Sequence, residues 1–228
     1  MKKKAIVLIC GFVFILAGGI DAYAGKLLNE SPEGYMVYVP EKALSGEKTS
    51  ILICLPGWRM SAVQDINNWS FAAEKNDVIA VSLDIEYKNI KSGNDVKFIY
   101  ERIERIIKHL SETYSVYEDD IFLAGTSAGG IMSISLALRY PDRFSYVGVV
   151  SGSRLGFGAE NNLKNARKCQ FYVIHGQQDE TISVGECVQT MDLLKQKGAY
   201  VMSKVYEKGG HALPIRVYNE VVEWMQAQ

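Results

Sequence analysis

The chain has 228 residues, of which 48% are hydrophobic, and a net charge of −1 at pH 7. This length is enough for one large domain with a full hydrophobic core. No basic cluster follows residue 24, so we expect no nucleic-acid partner.

The first 24 residues have the pattern of a secretory signal peptide. A positive start at residues 2–4 precedes an apolar run at 5–20, and Ala22 and Ala24 form an A-x-A cleavage site. We expect cleavage after Ala24, a mature domain at 25–228, no stable membrane anchor and a secreted or periplasmic location. The alternative is an uncleaved anchor, but the apolar run is shorter than the roughly 20 residues that span a membrane.

The predicted mature domain contains Cys54, Cys169 and Cys187. This odd, low number argues against a disulfide framework even in an exported protein. A bond between Cys169 and Cys187 is the alternative, but the predicted elements put them at opposite ends of a sheet, so we expect free thiols. No Cys/His cluster has the spacing of metal ligands, so we expect no metal and no cofactor.

Apolar runs alternate with helical periodicities along the chain. Strands are predicted at 35–40, 51–55, 78–83, 121–124, 146–150, 171–175 and 201–206. Helices are predicted at 61–75, 94–114, 131–140, 183–197 and 214–225, the last with Pro214 in its first turn. This order predicts a single-domain α/β fold with a mostly parallel sheet and helices on both faces. The irregular connection at 153–168 is short for a cap domain, so we expect a minimal cap or none and an open site.

The stretch Gly125-Thr126-Ser127-Ala128-Gly129 lies between a predicted strand and a predicted helix. Gly-x-Ser-x-Gly in this setting is typical of the nucleophile elbow of an α/β-hydrolase. A serine on so sharp a turn has a strained backbone, and its neighbours two residues away come too close to strand and helix to carry side chains. The pattern also arises by chance in glycine-rich turns, so the other catalytic groups must decide between the two interpretations.

A serine hydroxyl needs a base to become a nucleophile, and the chain has 3 histidines. His109 lies off the apolar face of the long helix, which indicates a surface position. His175 directly follows a strand and is interpreted as a packing or turn residue. His211 lies in a Gly-Gly loop after the last strand, and this loop can return the imidazole to the carboxyl edge of the sheet. We predict His211 as the base, with an exposed loop histidine as the alternative.

The base in turn needs an acid that fixes its tautomer. Asp179 lies just beyond a strand end and before a helix cap, so we predict it as the acid. The neighbouring Glu180 is the second choice, Asp84 also follows a strand, and ordinary turn chemistry is the alternative for Asp179. The order Ser127, Asp179, His211 is the order found in α/β-hydrolases.

Two backbone N–H groups are predicted to bind the oxyanion. One belongs to Ala128, the residue after the nucleophile, and the other to Trp58 in the loop at 56–58. A plain strand-ending turn is the alternative for that loop. A backbone donor leaves its side chain free, so we expect the Trp58 ring to line the substrate pocket, with Arg59 and Met60 at the rim.

Residues 117–130 resemble the block around the nucleophile in secreted esterases. These are the polyhydroxybutyrate depolymerase and feruloyl esterase-like α/β-hydrolases, which are related to the dienelactone hydrolase and prolyl oligopeptidase groups. Residues 140–144 resemble the helix-ending segment of these esterases, 175–179 their acid loop and 210–211 their histidine loop. The resemblance spans about 35–224 and implies an α/β-hydrolase fold.

The chain departs from this family at two places. Pro56 stands where the family usually has His, but the N–H group that binds the oxyanion belongs to a later residue, so we expect the oxyanion hole to survive. Ile182 and Ser183 stand where the family often has Val-Pro. Because Ser183 can cap the next helix, this departure does not count against Asp179.

The resemblance implies hydrolysis of carboxylic esters through an acyl-enzyme at Ser127. The expected substrate is a small-molecule or polymer-attached ester, and export with an open site favours acetyl or feruloyl esters on polysaccharide. One alternative is a serine peptidase of the prolyl oligopeptidase type, although such peptidases usually carry a gating domain. The other is a non-catalytic binding protein on a hydrolase scaffold, although such proteins typically lose a triad or elbow residue.

Overall fold

The computed structural model describes residues 25–30 and 34–228, so the predicted signal peptide lies outside the described residues. Along the chain the strands and helices are β1 (Lys26–Glu30), β2 (Tyr35–Val39), α1 (Glu41–Leu44), β3 (Thr49–Leu55), α2 (Ala62–Lys75), β4 (Ile79–Leu83), α3 (Gly93–Ser111), β5 (Val116–Thr126), α4 (Ala128–Arg139), β6 (Tyr146–Val150), β7 (Gln170–Gly176), α5 (Val184–Gln196), β8 (Tyr200–Tyr206) and α6 (Arg216–Gln226). Two 3₁₀-helices, Tyr87–Asn89 and Ala159–Lys168, lie in the connections.

The strands form one sheet in the order β1-β2-β4-β3-β5-β6-β7-β8. β1 and β2 pair antiparallel, as do β2 and β4, and every later pairing is parallel. Strand β3 is buried along its whole length, which explains its continuous apolar sequence. The predicted single-domain α/β fold with a mostly parallel sheet is confirmed.

Helices cover both faces of the sheet, as predicted. The buried stripes of α3, α4 and α5 pack in one core cluster, and those of α2 and α6 pack in the other. In the second cluster the ring of Trp69 in α2 meets that of Tyr218 in α6 edge to face, with centroids 4.7 Å apart. Ser61 and Ser183 both cap their helices through capping boxes.

Two helix starts differ from the prediction by two residues or more. Helix α4 begins at Ala128 instead of residue 131, because the turn at Ser127 leads straight into it. Helix α6 begins at Arg216, so the prediction that Pro214 lies in its first turn is wrong. The Pro214 carbonyl instead accepts the Val217 N–H group at 3.0 Å in a preceding 3₁₀-type turn.

The connection between β6 and β7 is more regular than predicted, because it contains the 3₁₀-helix Ala159–Lys168. Cys54, Cys169 and Cys187 are buried free thiols, as expected. Within the described ranges, no helix has the length and the apolar character needed to cross a membrane.

Candidate active site

Ser127 occupies the turn between β5 and α4 in a strained conformation, with φ 55° and ψ −120°. Positive φ is rare for a residue with a Cβ, and it persists only where the surroundings enforce it. Here the Ser127 N–H donates to the Val150 carbonyl at 2.8 Å, and the Ser127 carbonyl accepts the Ile131 N–H at 3.1 Å. These bonds tie the turn to β6 and to α4, and they leave the hydroxyl at the carboxyl edge of the sheet.

The two flanking glycines are required by space. A Cβ at Gly125 would overlap the backbone of Gly129, and a Cβ at Gly129 would overlap the carbonyl of Leu55. The sequence argument that the elbow excludes side chains at both positions is therefore confirmed.

Ser127, His211 and Asp179 form one chain of hydrogen bonds. His211 Nε2 lies 2.9 Å from Ser127 Oγ, and His211 Nδ1 lies 2.8 Å from Asp179 Oδ2. A carboxylate only accepts hydrogen bonds, so Nδ1 carries a proton and Nε2 is free to accept the serine proton. The His211 side chain is 31% exposed and that of Asp179 is fully buried, so the chain of bonds runs from the surface into the protein.

The Asp179 carboxylate is held on both oxygens. Its Oδ1 accepts the N–H groups of Thr181 at 2.8 Å and Ile182 at 2.9 Å, and its Oδ2 accepts His211. Burial alone would raise the pKa of Asp179. The hydrogen bonds from Ile182, His211 and Thr181 outweigh burial and hold the pKa below its ordinary value. The carboxylate is therefore ionised at neutral pH.

A close contact between two loops brings His211 to the edge of the sheet. A Cβ at Gly176, the last residue of β7, would overlap the carbonyls of Gly209 and Gly210. The Gln178 N–H donates to the Gly209 carbonyl at 2.8 Å, which joins the acid loop to the histidine loop. Glycine at 176 lets the two backbones pack directly, so residues from distant parts of the chain meet.

The other candidates lie elsewhere or make other contacts. His109 is exposed on α3, and Glu180 is exposed beside Asp179, which makes the contact with His211. Asp84 Oδ1 accepts the Ala62 N–H at 2.7 Å and so stabilises the first turn of α2.

His175 has a contact that the sequence interpretation missed. It is fully buried at the end of β7, and its Nε2 lies 3.3 Å from Asp179 Oδ2. The spacing of four residues across a strand end was the signal that could have pointed to this contact.

The predicted oxyanion loop lies beside Ser127. A Cβ on Gly57 would sit 3.6 Å from Ser127 Cβ, and the Tyr87 hydroxyl donates to the Pro56 carbonyl at 2.7 Å. Ala128 is the first residue of α4, where N–H groups have no partner within the helix and the helix dipole is positive. Of the two predicted donor residues, Ala128 follows the serine in the chain, and Trp58 follows Gly57, whose backbone lies close to Ser127.

The rings of Trp58, Tyr87 and Phe157 stack in a row that starts in this loop. The sequence pointed to Trp58 alone. Trp58 is 53% exposed and stacks on Tyr87 with centroids 6.3 Å apart, and Tyr87 stacks on Phe157 at 5.7 Å. Arg59 and Met60 line a cavity of about 360 Å³ together with Ser61, Asp84, Ile85 and Glu86, so their place at the rim of a substrate pocket stays a prediction. A second cavity of about 450 Å³ is lined by Ile90, Lys91, Ser92, Gly93, Phe157, Gly158, Glu160 and Asn161.

In the described part of the chain, no three or more His, Cys, Asp or Glu side chains are grouped to hold a metal ion.

Comparisons with solved structures agree with this architecture. S-formylglutathione hydrolase (FrmB) from Staphylococcus aureus is 16% identical, with a TM-score of 0.67 over 90% of this chain and 96% of that chain. The fluorophosphonate-binding serine hydrolase FphF from Staphylococcus aureus is 15% identical, with a TM-score of 0.70 over 90% and 98%. A ferulic acid esterase is 16% identical, with a TM-score of 0.67 over 90% and 99%. At these identities the likeness shows the fold.

A search of curated proteins finds no match. A family model described as Phospholipase/Carboxylesterase matches residues 81–228, which is more than half of the chain and includes Ser127, Asp179 and His211. The chain therefore belongs to the phospholipase/carboxylesterase family, a family of α/β-hydrolases.

Proposed function

We propose that this protein is a secreted serine esterase that hydrolyses carboxylic esters. Ser127 is the nucleophile, His211 the general base and Asp179 the acid that orients it. The observation that carries this proposal is the unbroken hydrogen-bond chain, 2.9 Å from Ser127 Oγ to His211 Nε2 and 2.8 Å from His211 Nδ1 to Asp179 Oδ2. This geometry matches the roles that nucleophile, base and orienting acid need.

The reaction has two halves. In the first, Ser127 Oγ attacks the ester carbonyl carbon while its proton passes to His211 Nε2. The carbonyl electrons move to oxygen, and the backbone N–H groups of Ala128 and Trp58 stabilise this oxyanion. The intermediate then collapses as His211 gives the proton to the leaving alcohol oxygen, which leaves an acyl-enzyme on Ser127.

In the second half, water replaces the alcohol. His211 Nε2 takes a proton from the water as its oxygen attacks the acyl carbon. Collapse of the second tetrahedral intermediate returns the proton to Ser127 Oγ and releases the carboxylic acid. Throughout, the buried Asp179 carboxylate stabilises the imidazolium that forms and keeps the proton on Nδ1.

The surroundings of Ser127 support a polymer-attached ester as substrate, such as an acetyl or feruloyl group on polysaccharide. No inserted domain covers the site among the described residues, and the exposed Trp58 ring offers a flat apolar surface one residue after Gly57, whose backbone lies close to Ser127. Arg59 and Met60, which follow Trp58 in the chain and line a cavity of about 360 Å³, are the proposed rim of the substrate pocket. The similarity in fold to a ferulic acid esterase agrees with this substrate class.

Export rests on the pattern of residues 1–24 alone. N-terminal sequencing of protein recovered outside the cytoplasm tests it, with Gly25 as the expected first residue. Full-length protein retained with the cells would contradict secretion.

An ester panel tests the activity. Short-chain p-nitrophenyl esters, methyl ferulate and acetylated xylan are compared with a peptide p-nitroanilide. We expect turnover of the esters, no measurable turnover of the amide, and a loss in Ser127→Ala of roughly 10⁴- to 10⁶-fold in kcat. Ser111→Ala, at the end of α3, is the matched control and should keep full activity. Ester turnover that survives Ser127→Ala would exclude Ser127 as the nucleophile.

A further inference from the structure

His175 lies next to Asp179, the acid of the proposed triad, and takes no part in the mechanism above. The geometry points to His175 as a positioning residue that fixes Asp179 relative to His211 through its Nε2–H group. This inference rests on the proposed function, because it assigns a role within the same catalytic machinery. His175 does not touch the reacting atoms, so its effect must pass through the acid loop.

The polar contacts of His175 Nε2 are made with that loop. It is the penultimate residue of β7, and none of its surface is exposed. Its Nε2 lies 2.8 Å from the Ile182 carbonyl oxygen and 3.3 Å from Asp179 Oδ2. Both oxygens only accept hydrogen bonds, so Nε2 carries the proton and donates it to the Ile182 carbonyl, next to Asp179 Oδ2.

The other ring nitrogen, Nδ1, makes no hydrogen bond to the described residues. This nitrogen is also buried. A buried acceptor without a partner costs stability, and an apolar side chain would fill a purely structural position without that cost. The arrangement therefore indicates that the imidazole is used for its Nε2–H donor.

Ile182 joins His175 to Asp179 through two hydrogen bonds. Ile182 donates its N–H to Asp179 Oδ1 at 2.9 Å and receives His175 on its carbonyl. Without the Nε2–H group, Ile182 loses the hydrogen bond on its carbonyl, and Asp179 Oδ2 loses the polar N–H group that lies 3.3 Å away. The carboxylate is then free to move relative to His211 Nδ1, and a misplacement of about 1 Å in a catalytic geometry costs on the order of 100-fold in rate.

Two amide substitutions separate this role from plain packing. The terminal amide nitrogen of Gln reaches about as far as Nε2 of His, and that of Asn about as far as Nδ1. We therefore expect His175→Gln to keep kcat within a few-fold of wild type. His175→Asn and His175→Phe should lower kcat by about 10- to 100-fold with little change in KM. Circular dichroism and thermal unfolding establish that each variant is folded.

A spectroscopic readout reports on the acid–base pair without turnover. The low-field proton signal of the His211 Nδ1–H···Asp179 hydrogen bond should persist in His175→Gln and shift or broaden in His175→Asn. A folded Gln variant with lost kcat, or an Asn variant with wild-type kcat and an unchanged signal, would overturn the inference. If wild-type esterase activity is absent or survives Ser127→Ala, the proposed function itself fails, which is a distinct outcome.

Discussion

His211 Nδ1 lies 2.8 Å from Asp179 Oδ2, although the two residues are 32 positions apart in the chain. They meet because β7 and β8 are parallel neighbours whose carboxyl ends lie at the same edge of the sheet. Glycine at 176 then lets the loops after these strands touch, because a Cβ there would overlap the carbonyls of Gly209 and Gly210. The proposed chemistry depends on this contact, and several measurements follow from it.

Asp179→Asn is expected to lower kcat by about 10⁴-fold, because a neutral amide no longer holds the required tautomer of His211. Kinetics on a p-nitrophenyl ester measure the loss. Glu180→Gln is the matched control, since Glu180 is the exposed neighbour of Asp179. An equal loss in the control, or wild-type kcat in Asp179→Asn, would show that the acid is misassigned.

Gly129→Ala is expected to lower the free energy of unfolding by at least about 1–3 kcal/mol, because the added methyl group overlaps the Leu55 carbonyl. Urea denaturation measures the change. Gly185→Ala is the control, because its nearest neighbour to a new Cβ is Ser183 Oγ at 3.8 Å. This control should be neutral or stabilising by roughly 0.5–1 kcal/mol. A Gly129→Ala protein as stable as wild type would contradict the tight packing of the elbow.

We expect the buried Asp65 to make the free energy of unfolding depend on pH. It is fully buried in α2, and Ser82 Oγ donates to its Oδ2 at 2.7 Å. Burial, opposed in part by the polar side-chain groups of Ser82 and Trp69, raises the pKa of Asp65 from 3.8 to about 6. The folded state thus binds this proton more tightly than the unfolded state. The contribution of protonated Asp65 to the free energy of unfolding is complete below pH 3.8, and it is lost as the pH rises through about 6.

Asp65→Asn tests this dependence, because the amide removes the ionisation. The raised pKa corresponds to roughly 3 kcal/mol, so we expect the variant to be more stable than wild type by about 1–3 kcal/mol at pH 8. The advantage should disappear near pH 4. Urea denaturation at several pH values measures it, with the exposed Asp192→Asn as a control of the same chemistry. A constant difference between Asp65→Asn and wild type at all pH values would refute the titration.

Trp58→Ala separates the two roles proposed for this residue. Its backbone N–H remains available to the oxyanion, while the exposed ring that stacks on Tyr87 is lost. We therefore expect a raised KM with kcat little changed, since a lost contact that is equal in ground and transition states affects binding alone. Phe98→Ala is the control, because Phe98 is 60% exposed on α3. A fall in kcat without a change in KM would place the ring in the chemical step.

Sequence reasoning succeeded where the signal is local. The apolar run of β3 and the capping boxes at Ser61 and Ser183 follow from burial and from short-range hydrogen bonds. The start of α4 was misplaced because glycines at 129 and 130 have low helix propensity, and the strained turn at Ser127 overrides that preference.

Contacts between distant segments were harder to predict. Tyr87 and Phe157 meet only in the folded chain, and their spacing leaves no periodic pattern. His175 was seen in the sequence, but its contact with Asp179 depends on how the acid loop folds back on β7. Such contacts depend on loop conformation, which single-residue propensities do not specify.

The nucleophile is tested most directly by labelling the folded protein with a fluorophosphonate probe and mapping the adduct by mass spectrometry. We predict one adduct per chain, on Ser127, absent from Ser127→Ala and formed far more slowly in His211→Ala. An adduct on another residue, or no adduct on folded wild-type protein, would contradict the assignment of Ser127 as the catalytic serine.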